Sequence, residues 1–134
     1  MKLFKKTVVK NELLKNVCDI SQIADIRLST LKEGLESGVN IAEIKTGSGF
    51  NFTVVIDRGM DIGEASFNGI PLAWMSATGY VHPSYFDPKG LGWLRSFFGG
   101  LLTTCGLTYL GSPCIDQGKE LGLHGRINNI PAKN

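Results

Sequence analysis

Charge is scarce in this chain. Asp, Glu, Lys and Arg make up 19% of it, against roughly 25% in ordinary soluble domains. Residues 65–115 hold just three charged side chains, Asp87, Lys89 and Arg95. A stretch so poor in charge does not present a normal solvated surface. It is expected to be the centre of a sheet packed on both sides, or the wall of a buried interface. Long apolar runs are missing too, which excludes a transmembrane helix and with it a membrane partner. After Leu3-Phe4 the chain turns to Lys5-Lys6 with no apolar run behind it, so no secretory leader is expected. Cysteines number three, an odd count without tight spacing, which fits a reducing compartment and a cytoplasmic location. Cys105 and Cys114 lack the short spacing of a zinc pair, so neither they nor Asp116 and His124 are expected to hold a metal. The phosphate-cradling patterns G-x-x-x-x-G-K-[ST] and G-x-G-x-x-G are absent, as is the G-x-S-x-G elbow of serine hydrolases. Net charge is +2, and Lys2, Lys5, Lys6, Lys10 and Lys15 supply five of the fourteen basic residues. The excess is an N-terminal feature, without the broad basic face and aromatic platforms of a nucleic-acid binder.

What is present is enough for one domain. The 134 residues are 43% apolar, which supports a hydrophobic core and excludes disorder as the main state. Seventeen glycines make a chain that turns often. That argues against a helical bundle.

Glycine is absent before Gly34 and proline before Pro71. The first third is therefore built differently. Residues 11–17 carry apolar positions at helical spacing, which predicts a short helix with Asn11 as its cap. From Ile20 the pattern changes to period two. Strands are predicted at 26–31, 39–45, 50–57 and 60–67, the third being the cleanest. Asn68-Gly69 between apolar runs predicts a hairpin into a fifth strand at 70–75. The result is an all-β antiparallel meander. Residues 76–92 are expected to form a long ordered loop. A further strand is expected within 99–106, and a loop-like tail from residue 121.

Few side chains stand out chemically. His124, between Leu123 and Gly125, can be a general acid or base near neutral pH; it can equally be a loop histidine bonded to backbone. His82, before Pro83 in an aromatic loop, reads more readily as structural. Asp57 and Asp61 in Asp57-Arg58-Gly59-Met60-Asp61 can form an acid–base pair, but a turn in which Arg58 pairs with a carboxylate is favoured. Arg95 stands in apolar company and needs a partner, either an internal carboxylate or a ligand. Trp93 and Trp74 can stack on a sugar ring, though Trp74, on a strand, is expected in the core.

A longer string then carries a resemblance. Asp57-Arg58-Gly59-Met60-Asp61-Ile62-Gly63 is followed by Gly69-Ile70-Pro71-Leu72-Ala73-Trp74. The run from Gly90 through Trp93-Leu94-Arg95-Ser96-Phe97-Phe98-Gly99-Gly100 to Leu107 comes next, and Leu123-His124-Gly125-Arg126-Ile127 closes it. From about residue 20 onward this resembles the DUF4432 family, a bacterial group similar to aldose 1-epimerases. The resemblance implies part of a galactose-mutarotase-like β-supersandwich, with the short helix at its N-terminus. It implies a sugar or sugar derivative as ligand, and no cofactor. In the reaction it implies, a carboxylate takes the proton of the anomeric hydroxyl and a histidine protonates the ring oxygen. The ring opens and recloses on either face. Carried across, His124 matches the catalytic histidine, and Arg95 and Arg126 match sugar contacts. Trp93 and His82 complete the candidate substrate-binding set.

Family chains are longer, and no Asp or Glu follows Glu120 here. Residues 1–134 therefore read as one partial domain, the N-terminal half of the fold, with the base elsewhere. The open sheet is expected to be covered by a second copy or a second chain. The alternatives to a sugar-isomerising protein are a non-catalytic β-domain that binds carbohydrate or a protein partner, and a truncated, self-associating product.

Overall fold

A computed structural model describes residues 2, 3 and 6–133. The chain opens with a small antiparallel pair, β1 (Lys2–Leu3) and β2 (Lys6–Thr7), and one helical turn, α1 (Lys10–Leu13). The helix is shorter than the spacing predicts, and Asn11 does not cap it. Helical bonding begins two residues earlier, at the carbonyl of Val9, which accepts from Glu12 and Leu13. Leu13 is the one residue of this turn that is buried, so its packing sets the helix position.

The body of the molecule is a five-stranded antiparallel meander. Its strands are β3 (Asp25–Thr30), β4 (Asn40–Lys45), β5 (Phe50–Val55), β6 (Asp61–Phe67) and β7 (Ile70–Pro71), paired in sequence order. Four of the five follow the period-two reading closely. The hairpin between β6 and β7 turns at Asn68 and Gly69, both at positive φ as such a tight turn requires. The fifth strand departs from expectation. It stops at Pro71, with one further bond from the Leu72 N–H to the Ala65 carbonyl at 2.8 Å. The chain then crosses to a separate pair, β8 (Trp74–Met75) with β9 (Gly99–Gly100). The strand expected within 99–106 is thus two residues long.

Alternation along the strands gives the sheet two unlike faces. One carries Ile41 and Val55, which join Val39 and Phe98 in the buried core; Leu31, Met75 and Tyr80 pack around them. Met75 takes the inward side of β8, so Trp74 points outward and is 66% exposed. The expectation of a core Trp74 is overturned by this parity. The opposite face carries Ile26, Ile44 and Phe52 in one row and Leu28, Ala42 and Val54 in the next. Leu28 is 73% exposed there, and Ile26, Phe67 and Ile70 are open as well.

Beyond the sheet, a long connection contains 3-10 turns at Pro83–Tyr85 and Gly92–Ser96. It is ordered, as its aromatic content predicts. The charge-poor stretch is not the centre of a sheet; Leu72, Leu91, Leu107 and Leu110 all stand exposed. A final hairpin, β10 (Cys114–Asp116) with β11 (Lys119–Leu121), was not legible as such, and a 3-10 turn at Ile127–Asn129 follows it. Among the described residues no helix is long and apolar enough to cross a membrane.

Candidate functional site

The site is organised by Arg58. Its backbone lies in a 3-10 turn, Ile56–Arg58, that ends at Gly59 in the left-handed region. Gly59 also sits where a Cβ would lie 2.8 Å from the Ile127 carbonyl oxygen, so glycine is required there for two reasons. The Arg58 side chain is fully buried. Its Nε donates to the Asn128 carbonyl at 2.6 Å, one terminal nitrogen to Val81 at 3.0 Å and the other to Ser96 at 2.9 Å. The guanidinium also lies 5.3 Å from the Phe98 ring centroid. The expected arginine–carboxylate turn is therefore overturned. Planar, forked donors suit three carbonyls from three segments, and the geometry is spent on them. Burial draws the Arg58 pKa down to about 10, with the nearby Asp61 charge opposing the shift.

The two aspartates are not an acid–base pair either. Asp57 accepts from the Asn40 backbone N–H at 2.7 Å and from its side-chain amide at 2.9 Å. Asp61 Oδ1 accepts from the Thr104 N–H and hydroxyl, both at 2.6 Å, while its Oδ2 is buried without a partner. Burial raises the Asp61 pKa; the Thr104 hydrogen bonds and the Arg58 charge only partly offset it.

The three segments that Arg58 ties carry the candidate residues. Val81 precedes His82, Ser96 follows Arg95, and Asn128 lies just beyond His124 and Arg126. Asn128 links two of them. Its side-chain oxygen accepts from the Trp93 indole at 2.9 Å. Trp93 is buried; it stacks on Phe97 at 4.9 Å and meets the His124 ring edge-on at 5.0 Å. Phe97 in turn lies 6.3 Å from the exposed Trp74 ring. His124 has φ of +55°, unusual outside glycine, and its Nδ1 is buried with no hydrogen-bond partner. Its backbone N–H donates to Gly111 and its carbonyl accepts from Gly106. The backbone is thus anchored while the ring is not. That separates it from a loop histidine whose ring is merely satisfied by backbone.

The remaining candidates are not drawn into this cluster by any contact. His82 accepts from the Ser84 N–H and caps its own 3-10 turn. Arg95 has the internal partner anticipated for it, a 2.9 Å bridge to Asp87, but in the open, at 78% side-chain exposure. Arg126 is exposed. Among the described residues no carboxylate hydrogen-bonds the His124 ring, and no group of three or more His, Cys, Asp or Glu could hold a metal. Two residues that the sequence reading did not place in the site, Arg58 and Asn128, hold it together. The density of polar residues between apolar strands marked Arg58; nothing in the local pattern marked Asn128.

Comparisons with known proteins bear on this arrangement. Residues 36–134 match the family model described as a domain of unknown function, DUF4432. No curated protein matches. The chain is similar to a crystal structure from Klebsiella pneumoniae subsp. pneumoniae, described as a candidate aldose 1-epimerase. Identity is 29% and the TM-score 0.72, over 79% of this chain and 28% of that one. This chain thus spans just over a quarter of that structure's length.

Proposed function

The chain belongs to the DUF4432 family, and on that premise we propose that it is a carbohydrate-handling, aldose-1-epimerase-like protein in which His124 is the proton donor to the sugar ring oxygen. The observation that carries this reading is the His124 ring itself: presented by a left-handed backbone, braced by Trp93, and left without a partner at Nδ1. An imidazole can serve as a general acid in such a reaction. The likeness to an epimerase structure supports the chemistry it would serve. Arg95, Arg126, Trp93 and His82 are proposed as contacts or walls for the sugar, and no cofactor is needed for proton transfer of this kind.

Ring opening takes two proton transfers, and one histidine performs one of them. The carboxylate base is proposed to come from polypeptide outside the described residues. The same polypeptide, or a second copy of the chain, would cover the open apolar face of the meander.

Proton NMR of D-galactose and D-glucose tests this. Saturation transfer from protein to sugar reports binding, and exchange between anomers reports catalysis. Binding is expected, with any acceleration of exchange falling to the buffer rate in His124→Ala; general acid catalysis contributes roughly 100-fold or more where it operates. Acceleration that survives His124→Ala removes His124 from the role. No transfer to either sugar at tens of millimolar overturns the carbohydrate reading. A second reading, a non-catalytic carbohydrate-binding β-domain, is favoured by the lack, among the described residues, of any carboxylate on the His124 ring. Transfer without exchange, with the proposed covering polypeptide present, would establish it.

A further inference from the structure

The face of the meander that carries the core is only half packed. Toward Val39, Ile41 and Val55 it lies under Phe98. Toward the other end the same face opens into a groove of about 590 Å³, within the roughly 300–1,000 Å³ of small-ligand clefts. We propose that this groove is a binding site for a neutral, polyhydroxylated ring: a carbohydrate subsite on the sheet, separate from the His124 cluster.

The register builds it. Arg27, Glu43 and Thr53 lie across three strands in one row, and Asp25, Lys45, Asn51 and Ser66 across four in the next. Charges alternate both along and across β3 and β4. Opposite charges nevertheless do not close on one another: among the described residues the ion pairs are Lys15–Glu12 and Arg95–Asp87. The side chains of Asp25, Arg27, Asn51, Thr53, Glu64 and Ser66 make no hydrogen bond within the described residues, though all six line the groove. Glu43 and Lys45, which also line it, are held from within the chain: Glu43 accepts from the Ser29 hydroxyl at 3.0 Å, and Lys45 donates to the Gln22 carbonyl at 2.7 Å. Part of the groove wall is apolar, from Pro71, Ala73 and Met75.

The lining selects its guest. Three carboxylates against two cations disfavour a phosphate or another anion. The two cations, and the lack of a metal-competent cluster, disfavour a metal ion. Polar walls disfavour an apolar ligand. A sugar offers donors and acceptors around one ring and C–H faces to an apolar patch, and this surface supplies the complements of both. None of His124, Arg95, Arg126, Trp93 and His82 lines the groove. The inference rests on the carbohydrate reading above, but it places recognition elsewhere on the molecule.

Backbone amide NMR of the whole chain, titrated with D-galactose or D-glucose to 100 mM, decides it. Saturable shifts at residues 25–27, 51–53 and 64–66 are expected. Arg27→Leu and Asn51→Leu, both at exposed positions, should each weaken them at least tenfold with the rest of the spectrum unchanged. His124→Ala should leave them as they are. Shifts confined to residues 93 and 124 would overturn the groove and keep the carbohydrate function. Shifts at the groove that neither Leu variant weakens would also overturn it. No saturable shift anywhere would overturn both.

Discussion

Asp61 shows how a residue can look catalytic and be held for another reason. Its carboxylate fastens Thr104 through one oxygen, and burial leaves the other without a partner. Its pKa is raised above the ordinary 3.8, so the folded chain keeps this proton to higher pH than the unfolded chain does. Stability therefore falls as pH rises from about 3.8 through the raised value, and levels off once Asp61 is ionised in both states. Asp61→Asn keeps an acceptor for Thr104 and cannot ionise. The stability of Asp61→Asn relative to wild type is expected to grow over that window and then stay constant. Urea unfolding of both proteins at a series of pH values measures it, and a difference that is flat throughout would show that burial does not tax this charge. His124 was visible in the sequence because histidines are few and its glycine neighbours are unusual. Its unpartnered Nδ1 was not, because partnership depends on Trp93 and on loops far away in sequence.

At the level of elements, Arg58 joins what the chain separates by 23, 38 and 70 positions. The local pattern suggested a turn with an ion pair. A guanidinium can satisfy carbonyls as well as carboxylates, and which it finds is decided by what the fold brings near. Arg58→Lys offers one compact ammonium in place of a fork. It is expected to leave at least one buried carbonyl without a donor, at about 1–3 kcal/mol for each. Amide exchange should then show residues 124–132 losing protection before β4 and β5 do. Equal loss everywhere would mean that Arg58 supports the fold generally and does not position the His124 segment. The meander strands were legible because each alternates cleanly. The β8–β9 pair was not, because two residues carry no period.

For the whole molecule the open question is the apolar face of the meander. Ile26, Leu28, Phe67 and Ile70 lie there in the open, on strands whose other face is partly packed. An exposed apolar sheet of this kind seeks a second layer. Light scattering is expected to give a mass above the 14.5 kDa of one chain, with Leu28→Lys and Ile70→Lys moving it toward that value. A soluble monomer at high concentration would sink the proposal that this face is covered. This chain matches just over a quarter of the similar structure described as a candidate aldose 1-epimerase.

The sequence alone determined the antiparallel meander, the Asn68–Gly69 hairpin and the family resemblance. These rest on period-two patterning, on residues that tolerate positive φ, and on an ordered run of motifs, all of them local. Only the tertiary structure decided what Arg58 binds, that Trp74 faces outward and Trp93 inward, and that one half of a sheet face is packed while the other is a groove lined largely by polar side chains. Those outcomes depend on strand parity and on contacts across tens of residues. Side-chain chemistry lists the bonds a residue can make, and the folded chain selects among them.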